Sequence, residues 1–163
     1  MKRVIIVRHA KSSWDDGSIP DFERPLNERG KHDAPVMAKR LVEKKVEIDA
    51  FISSPAKRAK KTASLFAKEY GTDKGKIILV DALYHAGPEE FYKAIEAAPP
   101  KAKTIAIFSH NPGITDFVNS LTDTRVDDMP TCAVFAVKAP IGDWNEFRQS
   151  PREFWFFDFP KSH

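Results

Sequence analysis

A chain of 163 residues, 42% of them apolar, has the size of one domain and enough length to bury a core without covalent staples. A lone cysteine, Cys132, excludes an internal disulfide framework and a multi-cysteine metal site, and it fits a reducing compartment. With 26 basic against 23 acidic residues, a net charge of +3, charge gives no case for nucleic acid as a partner. The apolar run at residues 4–7 is far shorter than a signal-peptide core or a membrane span. The expectation is a cytoplasmic protein with no membrane partner, folded as a single domain over residues 1–163.

Strand-like and helix-like segments alternate along the chain, with no repeat, low-complexity tract or dividing linker. Residues 2–8 are a short β-branched run that reads as a buried strand. Ala34, Met37, Ala38, Leu41 and Val42 then recur at helical spacing, and Pro35 among them predicts a bend or a late helix start. Residues 49–54 read as a second strand. The stripe Ala56, Ala59, Ala63, Phe66 and Ala67 follows, entered through Ser54-Pro55 as an N-cap and first-turn proline. Lys57, Lys60 and Lys61 on that helix read as a solvated face. Residues 76–80 are a third strand, and Phe91, Ala94, Ile95 and Ala98 form a helix opened by Pro88. Residues 103–109 are a fourth strand, followed by the stripe Ile114, Phe117, Val118 and Leu121 behind Asn111-Pro112. Residues 132–138 and 153–159 have no helical stripe between them and predict an antiparallel edge pair. The aromatic cluster at 154–159 reads as packing rather than a nucleic-acid platform. This order predicts an α/β fold: a three-layer α/β/α sandwich with a mostly parallel central sheet and an antiparallel edge pair near the C-terminus.

In open α/β sheets, ligands bind beyond the carboxyl ends of the strands. There the first strand ends in Arg8-His9 and the second in Ser53-Ser54-Pro55, with Arg58 in the next turn. The third strand region runs on to Tyr84-His85, and the fourth ends in Ser109-His110-Asn111-Pro112. Two arginines and three of the five histidines therefore gather on one rim. Arginine forks and helix N-termini suit phosphate oxygens. A neutral imidazole is a competent nucleophile near pH 7, and neighbouring arginines keep it neutral. His9 is thus the candidate nucleophile for a phosphoryl group, with Arg8, Arg58 and a protonated His110 meeting the transition-state charge. The arginine-rich rim and the lack of paired histidine ligand spacing argue against a metal, and no cofactor is expected.

These residues resemble the histidine phosphatase (phosphoglycerate mutase-like) superfamily, and within it the short SixA-type phosphohistidine phosphatases. The family opens with a strand and Arg-His-Gly, which stands here as Arg8-His9-Ala10, followed by Ser12 in the family's serine position. Leu26-Asn27-Glu28-Arg29-Gly30 resembles its element before the first helix. Residues 53–63, SSPAKRAKKTA, match its Ser-Ser-Pro-x-x-Arg-Ala-x-x-Thr-Ala, and Ser109-His110-Asn111-Pro112 its Gly-His-Asn-Pro. The resemblance implies a phosphorylated nucleophile at His9 and a phosphate pocket of Arg8, Arg58 and His110. It also implies phosphate or loop contacts from Ser12 and Asn27, although an N-cap role suits Asn27 equally.

One departure bears on the substrate. Many larger members place a glutamate general acid after the third strand, where this chain has Leu83-Tyr84-His85. An alkoxide needs a proton to leave, its parent hydroxyl having a pKa near roughly 15. Imidazole, with a conjugate acid of pKa about 6.5, leaves readily. The leading expectation is therefore a phosphatase acting on phosphohistidine in a partner protein and releasing inorganic phosphate. A phosphatase of small phosphoesters and a phosphoprotein-binding module with little turnover are the alternatives. His85 contacts the substrate in this reading, and the proton donor is His85, Asp15, Asp16, Asp21 or Glu23.

Overall fold

The computed structural model describes residues 1–161, so the last two residues of the expected domain lie outside it. Its centre is β1 (Lys2–Arg8), whose residues 4–7 are apolar and buried on both faces. Successive side chains of a strand point to opposite faces. Val4 and Ile6 accordingly enter one core, while Ile5 and Val7 enter the other.

The remaining elements follow in chain order: α1 (Glu28–Glu43), β2 (Ala50–Ser53), α2 (Lys57–Glu69) and β3 (Ile78–Leu79). Then come α3 (Pro88–Glu96), β4 (Thr104–Ser109), α4 (Gly113–Leu121), β5 (Val134–Ala139) and β6 (Glu153–Asp158). The strands lie in the order β3-β2-β4-β1-β5-β6. The first four in sequence are mutually parallel, whereas β5 runs antiparallel to β1, and β6 antiparallel to β5 at the edge. Helices α1 and α2 cover one face, and α3 and α4 the other. The three-layer sandwich with its antiparallel C-terminal pair is the architecture expected from the sequence. Among the described residues, no helix is long and apolar enough to cross a membrane.

Four local expectations are corrected. First, α1 starts at Glu28, well before Pro35, and runs through it. Asn27 caps it by accepting from Gly30 N–H at 2.9 Å, and Ala34, Met37, Ala38 and Leu41 are fully buried. Burying these side chains, at roughly 1.5–3 kcal/mol for each large one, offsets the proline's cost of about 3 kcal/mol. Second, Val42, at the border of that stripe, is 41% exposed rather than core. Third, Ser54 does not cap α2, which begins three residues later behind Ala56. Ser54 Oγ accepts from Ala56 N–H at 3.2 Å in a preceding turn, which frees it for the site described below. Fourth, β3 is only two residues long, because Lys74–Lys76 form a 3-10 turn and Ile78 and Leu79 lie at an exposed sheet edge.

Phe108 on β4 is fully buried, 6.4 Å from Phe51 and 5.2 Å from Phe66 between ring centroids. Phe108→Ala should cost about 3–5 kcal/mol of stability, read from the urea midpoint of unfolding.

Candidate active site

The parallel register assembles the site. Arg8 on β1 pairs with Ser109 on β4, and Ser53 on β2 pairs with Phe108, so the residues after each strand emerge side by side. Backbone bonds continue the alignment past the strands: His9 N–H donates to Ser109 O, and Ser54 N–H to Phe108 O. His9 and His110 consequently face each other with ring centroids 5.1 Å apart. They sit in a cavity of about 690 Å³ that Arg8, Arg58, Ser12 and His85 also line.

His9 is 6% exposed. Its Nδ1 lies 2.8 Å from the Ala10 carbonyl oxygen, which can only accept, so Nδ1 carries the proton. Nε2 is left with the lone pair and accepts from Arg58 Nε at 3.4 Å. Ala10 is itself held, because its N–H donates to Thr62 Oγ1 on α2, and Thr62 donates to the Arg58 carbonyl. Burial, assisted by Arg58, Arg8 and Arg24 and only partly opposed by the Ala10 bond, pushes the His9 pKa down to about 3. The imidazole is neutral at pH 7.

His110 Nε2 lies 2.7 Å from Ser54 Oγ. Burial, then His9 and Arg58, hold its pKa well below the ordinary imidazole value. The protonated His110 expected from the sequence is therefore not the form that these surroundings favour; a dianionic group beside it would supply the counter-charge. Arg8 Nη1 donates to Met129 O at 2.7 Å, fixing the guanidinium against the loop after α4. Asn111 pins that loop by donating to Asp128 Oδ1 at 2.7 Å. Arg8 Nε and His110 Nδ1 are buried without a hydrogen-bond partner. Orphaned polar atoms of this kind cost about 1–3 kcal/mol each, and a third, Arg3 Nε, lies at the other end of β1.

The first turn of α4 reaches the cavity through Asn111, Pro112 and Gly113, whereas α2 contributes only the Arg58 side chain. Gly113 lies so close to the Ala86 carbonyl that any side chain would collide with it, which locks the turn carrying His85 to the start of α4. His85 is exposed at the mouth, 3.9 Å from the Tyr84 ring centroid, in a left-handed conformation with φ 63°. Ser12 is buried and accepts from Arg24 Nη1 at 2.7 Å.

Residues 4–84 match the histidine phosphatase superfamily (branch 1) model. The chain belongs to the histidine phosphatase superfamily. An uncharacterized chloroplastic protein of Arabidopsis thaliana is 28% identical over 153 residues, 89% of this chain and 70% of that protein. The putative phosphohistidine phosphatase SixA from Agrobacterium tumefaciens has the same fold, with a TM-score of 0.82 at 23% identity over 98% of both chains. A protein histidine phosphatase SixA complexed with tungstate superposes with a TM-score of 0.80 at 22% identity, over 97% of both chains.

Against that family pattern, Asn27 stands apart. It caps α1 and is not among the residues lining the cavity. Trp14, Arg24 and Tyr84, which the sequence did not single out, line the site instead. Arg24 is 7% exposed, donates to Ser12 and lies 3.4 Å from the centroid of the exposed Trp14 ring. Tyr84 donates its hydroxyl proton to Asp21 Oδ2 at 2.7 Å. The signal for Arg24 was its place just before Leu26, which bridges to Ser12, but that pairing is invisible without the structure.

Asp21, one of the proposed proton donors, cannot serve as one in this arrangement. Its carboxylate accepts from Arg58 Nη2 at 3.0 Å, from Arg24 Nε at 3.1 Å and from Tyr84. Partial burial pushes its pKa up, but these three donors outweigh it and hold the carboxyl well below the usual carboxylate range. It remains ionised and occupies donors that a phosphoryl group would use. Asp16 is turned instead to its own loop, accepting from Ser18.

Two outcomes follow. Asp21→Asn should tighten competitive inhibition by inorganic phosphate about three- to tenfold, since a like charge leaves the arginines. Conformational stability without phosphate should be greatest above about pH 6.5 and fall as pH drops toward about 3. In that window the unfolded imidazoles take up protons that buried His9 and His110 refuse. Asp21, also held below its ordinary value, adds to the loss only below about pH 4. Urea unfolding between about pH 7 and about pH 5 measures the slope, which His9→Asn should flatten.

Proposed function

We propose that the protein is a phosphohistidine phosphatase that removes a phosphoryl group from a histidine of a partner protein through a covalent intermediate on His9. The observation that carries this reading is the His9–Ala10 hydrogen bond. It places the proton on Nδ1 and leaves the Nε2 lone pair beside Arg58 in the arginine-lined cavity. In the first step the substrate's phosphorylated ring takes a proton from solvent on its other nitrogen, Nε2 of His9 attacks phosphorus, and the bond from phosphorus to the substrate's ring nitrogen breaks to release neutral imidazole. In the second, water attacks phosphorus, the bond to His9 breaks, and inorganic phosphate leaves. Arg8 and Arg58 balance charge on the equatorial oxygens in both steps, and His110 joins them once the bound dianion favours its protonated form.

The choice of leaving group rests on Asp21. The carboxylate in contact with Arg58 is fixed as an acceptor, which supports a leaving group that needs no proton from it; among the described residues, Asp116 on α4 is the other carboxylate lining the cavity. Imidazole meets that condition, whereas an alkoxide does not. In this reading His85, exposed at the mouth beside Tyr84, meets the leaving ring rather than the phosphate.

His9→Ala should abolish hydrolysis, and an acid-quenched reaction of the wild type with a phosphohistidine peptide should carry the trapped phosphate on His9 by mass spectrometry. Label on His110, or turnover of alkyl phosphate esters well above that of the phosphohistidine peptide, would overturn the proposal.

A further inference from the structure

A second concavity of about 620 Å³ lies on the other side of the wall formed by residues 24–26. Arg24 faces the catalytic cavity, while Pro25 and Leu26 face this groove. Five lysines line it: Lys31, from α1, Lys57, Lys60 and Lys61 from α2, and Lys74 from the 3-10 turn before β3. Lys57, Lys60, Lys61 and Ser64 fall at i, i+3, i+4 and i+7, one face of α2 whose opposite face is the buried Ala59, Ala63 and Phe66. On α2 alone these lysines form a plain solvated face; the fold brings Lys31 and Lys74 to the same place.

Among the described residues, no carboxylate lines the groove. Lys31 has a partner at its edge, Glu28 at 3.6 Å, but Lys57, Lys60, Lys61 and Lys74 make no ion pair among the described residues. Like charges at helical i,i+3 and i,i+4 spacing repel and weaken the helix. Concentrating them without acids is a local cost to stability, and an acidic partner would relieve it. Between the lysines, Leu26 and Ile77 supply an apolar floor. Among the described residues no aromatic ring or arginine lines the groove, so they provide none of the stacking platforms of single-stranded nucleic-acid sites.

We infer that this groove docks an acidic segment of the phosphorylated protein substrate beside the residue being dephosphorylated, an inference that rests on the function proposed above. Carboxylates of the partner complement the lysines, apolar side chains among them meet Leu26 and Ile77, and the shared wall at residues 24–26 sets the docked segment next to the catalytic cavity. Lysine heads are mobile, strongly hydrated point charges, suited to steering a transient encounter rather than to tight binding. The effect falls on KM rather than kcat, and it is screened by salt.

The test uses two synthetic peptides, each with one phosphohistidine, flanked on both sides by blocks of glutamate and leucine or by the same blocks with glutamine for glutamate. Phosphoimidazole, too small to reach the groove, is the control. Wild type should show about tenfold higher kcat/KM for the glutamate peptide at low salt, through KM, and lose the preference at about 0.5 M NaCl. The variant Lys57→Glu/Lys60→Glu/Lys61→Glu should lose or invert the preference while hydrolysing phosphoimidazole at the wild-type rate. A Lys→Gln version of the same triple variant should do so more mildly and guards against misfolding. Equal kcat/KM for both peptides would overturn the docking inference and leave the proposed function standing. Failure to hydrolyse phosphoimidazole and both peptides would overturn the function. In that case fluorescence anisotropy with the unphosphorylated glutamate peptide decides for the groove, absence of lysine-dependent binding sinking it. Tighter lysine-dependent binding of a single-stranded oligonucleotide than of the glutamate peptide would also overturn the inference, in favour of nucleic acid.

Discussion

The parallel register of β2, β4 and β1 is the constraint on which everything else depends. Once Ser53 pairs with Phe108 and Arg8 with Ser109, three strands end at the same height. The next residues, Ser54, His110 and His9, have nowhere to go except a common rim. A shift of one residue would turn every core side chain of β1 to the opposite face, exchanging Val4 and Ile6 with Ile5 and Val7. The hydrophobic pattern of the strands therefore specifies the catalytic geometry. Packing on both faces and assembly of the pocket are a single requirement.

What the register gathers is costly. Two imidazoles and the guanidiniums of Arg8, Arg24 and Arg58 share one largely buried pocket, and among the described residues only Asp21 bonds directly to those guanidiniums with a carboxylate. The fold tolerates this by keeping both imidazoles neutral and by letting Asp21 bridge two of the arginines. A dianionic phosphoryl group is the natural complement of such a pocket, because it replaces the missing counter-charge and meets donors left without partners.

Legibility from sequence followed local regularity. The strands and helical stripes were readable because burial on both faces of the sheet leaves compact apolar runs and 3.6-residue periods. Arg8, His9, Arg58 and His110 were readable because each sits at, or one turn past, a strand end. Arg24, Tyr84 and the role of Asp21 were not. They lie in irregular segments with no period, and long-range contacts to Ser12 and Arg58 fix their positions. Ser54 and Asn27 show the complementary error. Both carry side chains that suit a cap and a pocket equally well, and only the fold distributes the two jobs: Asn27 takes the cap, and Ser54, itself fully buried, holds His110 from behind the pocket.

Ala10 carries a final consequence. It contributes to the site solely through its main chain, the carbonyl fixing the proton on His9 and the amide anchored on Thr62. Its methyl group is fully enclosed against the α1–α2 side of the sheet. Chemistry therefore places no demand on what the side chain is, and space alone limits how large it can be. That is why alanine can stand where the superfamily's opening motif has glycine: the third letter of the motif records a volume, not a reactive group.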